Sequence, residues 1–191
     1  MEGEEVIKRG RGVGRFERGF LFHQAGSLNK TNTLWVSGGS GAFRKRVWDE
    51  LGGLDSLFNP FYWEDIDLSY RALKAGYKLV FEGSSVVRHE HGKGAIKKQY
   101  SSGSVKRISY RNQILFVWLN ITDLNLVTSH LFWLPYHLMH TLFQGDFNFL
   151  LGLISALGRI PAILVKRNQR KRIFVLSDRE VLLPFKENSN D

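Results

Sequence analysis

The sequence predicts an α/β unit followed by long apolar helices. Two patterns lead there. Short strand-like runs ending in glycines alternate with helical periods up to about His89, and from Tyr110 onward the chain turns to helices rich in Leu, Phe and Ile. With 191 residues, 43% of them hydrophobic, it can bury the core of one ordinary domain.

Residues 1–33 mix Gly and Arg, as in KRGRGVGRFERG, and keep no sustained period. They read as loop, with a short element around Phe16 to His23. Thr33 to Ser37 (TLWVS) reads as a strand closed by the turn-forming Gly38-Gly39-Ser40-Gly41. Ala42 to Leu51 reads as a helix, with Phe43, Val47 and Leu51 on one face and Gly52-Gly53 stopping it. A second helix is expected from Glu64 to Ala75, where Ile66, Tyr70 and Leu73 share a face and Gly76 follows the C-cap. Tyr77 to Glu82 and Val86 to His89 then read as a strand pair split by Gly83-Ser84-Ser85. Apolar helices follow at Ile114 to Leu119, Leu124 to Phe143 and Phe147 to Val165, before the basic run KRNQRKR (Lys166 to Arg172) and a polar tail. The expected organisation is thus 1–109 as the α/β unit, 110–172 as the helical region and 173–191 as tail.

A formal charge of +9 and a pI near 9.9 point to an anionic partner: nucleic acid, a membrane surface or a phosphorylated substrate. The chain has no cysteine, which excludes thiolate metal sites and disulfides. The acidic, apolar-free start MEGEE carries no secretory signal, so a cytoplasmic location is the expectation. Phe147 to Val165 is 19 residues long, and Arg159 offsets much of its apolar gain, so a helix lying on a membrane or packed in a core is expected rather than a span. KRNQRKR suits anionic headgroups, and it suits a solvated surface equally well.

Asn59 to Leu79 places Phe61, Tyr62 and Trp63 directly before Glu64, Asp65 and Asp67. Carboxylates in a first helical turn are stabilised by the helix dipole and can cap free N–H groups, which needs no function. The aromatics add a second reading, a wall for an amphipathic ligand beside a partly desolvated base. In a strand, His89 and His91 would project to one face and could share a metal ion, or form a neutral surface pair. Lys93, Lys97, Lys98, Lys106, Arg107 and Arg111 follow, either as a diphosphate cradle or as a solvated basic face.

The ordered series SGGSGAFRKRVWDELGGLD and FYWEDIDLSYRALKAGYKLVFEGSSVVRHEHG resembles the acceptor-side half of family-2 glycosyltransferases of the GT-A fold, of the rhamnosyltransferase-like kind. The match covers residues 34–94; Tyr110-Arg111-Asn112 and the helices beyond fit it more loosely, and Leu54 stands where an aromatic is usual. The resemblance implies a partial GT-A fold and inverting sugar transfer from a nucleotide-sugar donor to a glycan or lipid-linked acceptor, in surface polysaccharide synthesis. It places the general base on Asp65. It also puts Gly38 and Gly39 near the donor sugar and Trp63, Glu64 and Asp67 at the substrate, with Glu64 and Asp67 orienting the acceptor or bracing the loop. His89, and more weakly His91, would lie near the diphosphate or a divalent metal, Mg or Mn. The family's nucleotide-binding unit and its D-x-D have no counterpart here, because Asp65-Ile66-Asp67 already belongs to the acidic motif. Either this is the C-terminal part of a split or truncated enzyme or a separate polypeptide completes it, and the chain alone is expected to be inactive. The remaining readings are a nucleic-acid-binding module, which lacks any recognised basic motif, and a peripheral membrane scaffold.

Overall fold

The computed structural model describes residues 10–86 and 95–186. It is mixed α/β and mostly helical, with a small two-stranded sheet. His89 and His91 lie outside the described residues.

The sheet is an antiparallel hairpin of β1 (Gly12–Glu17) and β2 (Phe20–Ala25), in a segment the sequence reading left mostly as loop. Arg18 and Gly19, at φ 46 and 80, close it as a two-residue turn whose twist matches the strands. The glycines that hid the strand pattern are required by packing. A Cβ on Gly12 would sit 2.4 Å from the Trp35 ring, and one on Gly14 would sit 2.5 Å from the Phe22 carbonyl oxygen.

The expected strand at Thr33 to Ser37 does not form, and the segment pairs only in fragments. Leu34 N donates to Gly12 O at 2.8 Å, and Phe81 N donates to Thr31 O at 2.6 Å beside the single bridge Asn32–Val80. Tyr77 to Glu82 likewise forms no ladder, Val86 is exposed, and residues 87–89 lie outside the described part.

The first two helices fall close to expectation, as α1 (Lys45–Leu51) and α2 (Glu64–Lys74). Gly52, Gly53 and Gly76 all take positive φ where those helices stop. The short α3 (Ala95–Gln99) precedes α4 (Ser102–Asn120), which begins twelve residues before the expected Ile114 because Ser101 caps it, accepting from Ser104 N at 3.2 Å. The helix α5 spans Leu124–Phe143. The expected helix Phe147 to Val165 is two, α6 (Asn148–Leu157) and α7 (Ile160–Lys171), bent by 68° around Gly158-Arg159 with Pro161 in the first turn of α7. Among the described residues no single helix is long and apolar enough to cross a membrane.

One core joins the hairpin, α2, α4, α6, α7 and the C-terminal residues, with Phe58, Tyr70, Leu115 and Phe116 at 0% exposure. Burying each such aromatic or leucine contributes about 1.5–3 kcal/mol. The helix α6 lies directly on α4 at Gly152, where an added Cβ would be 3.0 Å from Arg107 O. The segment expected as polar tail instead folds as α8 (Asp178–Leu182) and a 3₁₀ turn, Leu183–Phe185. A capping box between Ser177 and Glu180 starts α8, and Val181, Leu182 and Phe185 enter the core.

KRNQRKR also departs from both expectations. Lys166 binds Asp55 at 2.7 Å, and Arg167 donates to the carbonyls of Trp118 and Ile121 at 2.7 and 2.6 Å. Arg170 is buried on Asp55 and Asp67. Three of its five cations therefore hold α7 to the rest of the fold.

Asp178 is fully buried and ties three elements together. It accepts from Tyr70 Oη and Lys74 Nζ, both at 2.8 Å, and from the Thr122 and Asp123 amides at 2.6 and 2.7 Å. Burial alone would raise its pKa, but the Lys74 charge and these donors hold it below the usual carboxylate value. Its stabilising contribution is therefore complete above about pH 4 and is lost as pH falls through the lowered value. The urea midpoint is expected to drop between pH 5 and pH 3. Asp178→Asn should lower it already at pH 5 and flatten that dependence; an unchanged pH slope would refute the assignment.

Candidate active site

The acidic motif sits at the start of α2 on a strained approach. Tyr62 and Trp63 take φ 69 and 76, left-handed conformations that cost on the order of 1–3 kcal/mol each in non-glycine residues. What holds them is α4. Asn112, fully buried, places Nδ2 at 2.7–2.9 Å from the carbonyl oxygens of Phe58, Phe61 and Tyr62. Arg111 Nε donates to Asn112 Oδ1 at 2.8 Å, which fixes the amide so that its N–H₂ faces those carbonyls. Arg111 Nη2 completes the brace on Asn59 O at 2.5 Å. Asn112→Ala should therefore cost about 1–3 kcal/mol by leaving buried carbonyls unpaired. Denaturant unfolding measures this, and a cost within experimental error would show the loop to be held by other means.

The three carboxylates have different surroundings. Asp65 is half-buried; its Oδ2 accepts from Gly38 N at 3.2 Å and its Oδ1 from Ile66 N at 2.8 Å. The Gly-rich turn and the acidic motif, 27 residues apart, are thus brought together. Val36 N, donating to the buried Ser69 Oγ at 2.9 Å, steers the turn onto α2. Gly41 is the crowded glycine there, since a Cβ would come within 2.1 Å of Val36 Cγ1. Around Gly39 there is open space.

Glu64 is half-buried with Oε2 lacking any hydrogen-bond partner. Burial pushes its pKa up and the neighbouring Asp65 charge adds to that, against its own backbone N–H.

Asp67 is at 0% exposure and belongs to the interior. Its oxygens take Arg71 Nε at 2.9 Å, Asn120 Nδ2 at 2.7 Å and Arg170 Nη1 at 2.6 Å. It is out of reach of a substrate and braces the loop instead. Arg71 in turn donates to the carbonyls of Leu51 and Gly53.

Trp63 also lies beneath the surface, at 6% exposure, packed on His23 and Phe116 at centroid distances of 5.1 and 5.2 Å. The open aromatic is Tyr62, 42% exposed over a groove it shares with Tyr100, Val105 and Ser109.

His23, on β2, is a member of the site that the sequence did not suggest. Its ring meets Trp35 and Trp63 edge-on at 5.0 and 5.1 Å while remaining open to solvent on one side. This desolvating aromatic surround pushes its pKa down, outweighing the upward pull of the Asp65 charge, so the imidazole is neutral at pH 7. The only available signal was its place in a segment without periodicity.

Asp65 and Asp67 cannot share a divalent cation, because Asp67 spends its oxygens on arginines and an asparagine. Among the described residues no group of three His, Cys, Asp or Glu side chains could hold a metal ion. The described residues thus do not fit a metal centre. No family model, curated protein or solved structure matches this chain.

Proposed function

We propose that the chain forms the acceptor side of an inverting glycosyltransferase with a GT-A-like arrangement, and that Asp65 is its general base. The carrying observation is the half-buried Asp65 carboxylate set against the Gly38 amide at the start of α2, on a backbone held strained from α4. Strain retained beside a carboxylate fits positioning for chemistry better than an ordinary acidic turn. Glu64 and His23, each within electrostatic reach of Asp65, add polar groups beside it. In this reaction Asp65 takes the hydroxyl proton as the oxygen attacks the anomeric carbon. The new C–O bond forms as the bond to the nucleoside diphosphate breaks, and the diphosphate leaves with the electron pair.

A nucleotide-binding unit with D-x-D, which the resemblance implies and this chain lacks, would supply the donor pocket. The test is reconstitution: the chain is combined with a polypeptide bearing such a unit, and transfer from a panel of nucleotide-sugars is followed. Transfer that needs both components and fails with Asp65→Asn supports the reading. Transfer that survives Asp65→Asn refutes it, as does tight, salt-sensitive nucleic-acid binding in place of transfer.

A further inference from the structure

The helices α6 and α7 leave a row of apolar side chains uncovered. Leu151, Ile154 and Leu157 are 44%, 55% and 46% exposed on α6, and Leu164 and Val165 are 57% and 60% exposed on α7. Together the two helices pass by length and composition as a broken span or a re-entrant elbow. An ordinary surface helix turns polar residues outward.

Beside this elbow stands positive charge without a counterion. Among the described residues no carboxylate pairs with Arg107, Arg111 or Arg159. Buried Arg111 is spent on neutral acceptors, Asn112 Oδ1 and Asn59 O. Arg159, at the bend, uses Nη1 on Ser155 O and Oγ at 2.7 and 2.8 Å. Arg107 is exposed where α4 meets Gly152 of α6. Burial, then the charges of Arg159 and Arg107, push the Arg111 pKa down to about 10, so the three stand within electrostatic reach of one another.

We propose that the α6–α7 elbow seats the protein on an anionic phospholipid surface, its outward Leu, Ile and Val side chains entering the headgroup boundary while Arg107 and Arg159 take lipid phosphates. A lipid surface satisfies both halves of the observation. A purely apolar partner would strand the arginines, and a free anion would leave the apolar row wet. KRNQRKR is not the anchor, because Lys166, Arg167 and Arg170 are held internally. The inference does not depend on the glycosyltransferase reading.

The full chain is floated with phosphatidylcholine vesicles, with and without phosphatidylserine. Binding is expected with phosphatidylserine. Ile154→Asp with Leu157→Asp, both at exposed positions, should abolish it while circular dichroism stays native. Arg107→Gln with Arg159→Gln should weaken it by about fivefold per arginine, and Lys171→Gln with Arg172→Gln should weaken it less. The proposal is overturned if the chain does not float, if either of the first two pairs leaves flotation unchanged, or if the Lys171/Arg172 pair has the larger effect. Displacement by inorganic phosphate at matched phosphate concentration would instead mark a free-anion site. A dimer in size-exclusion chromatography, dissolved by the two aspartates, would give the face to a second copy.

Discussion

Asp67→Ala is expected to remove most of the folded state, a loss of about 3–5 kcal/mol against a total of roughly 5–15 kcal/mol for a domain. The substitution deletes the shared acceptor of Arg71 and Arg170, both almost fully buried. Arg170 keeps Asp55 at 2.6 Å, but Arg71 is left with only the carbonyls of Leu51 and Gly53. A buried guanidinium facing neutral acceptors is an uncompensated charge, and Asn120 Nδ2 loses its acceptor as well. Urea unfolding followed by circular dichroism gives the number. A cost below about 1 kcal/mol, the range of exposed pairs, would mean that the arginines swing to solvent and the network is not structural.

Two residues earlier, Asp65→Asn is expected to do the opposite. The fold should persist, because the Asn side-chain oxygen can still accept from one of the two amides that Asp65 holds, Gly38 N or Ile66 N, and nothing buried loses a charge partner. Transfer by the assembled enzyme should fall by 10²–10⁴, the usual worth of a positioned base. Asparagine matches the shape of aspartate and cannot accept the proton, so the loss should appear in kcat while binding of the acceptor is retained. An equal loss in unfolding stability would assign Asp65 to the helix cap instead. The pair separates chemistry from architecture within a single turn of helix.

Much of this division could not be read from the sequence. The first-turn pattern of Glu64, Asp65 and Asp67 is visible, as are α1, α2 and their stopping glycines, because periodicity and αL glycines are local signals. Which carboxylate faces inward is decided by Arg170, 103 residues away, and no local pattern reports that. The hairpin was obscured because Gly12 and Gly14 lack side chains to show alternation, their room being taken by Trp35 and by Leu34 with the Phe22 backbone. The break of the long apolar run has a local cause in Gly158, Arg159 and Pro161, and those residues were in view. His23 joins the site through hairpin geometry alone.

The Arg170 clasp has a consequence for how such a sequence can drift. Positions 55, 67, 71 and 170 form one charge-neutralising unit, two acids and two arginines, although 103 and 115 residues separate Arg170 from its acids. Losing any one of the four leaves an unbalanced charge in the interior, while replacing all four together by apolar residues can be neutral. Viable descendants would thus inherit these four sites as a block, with α7 and the acidic motif evolving in step.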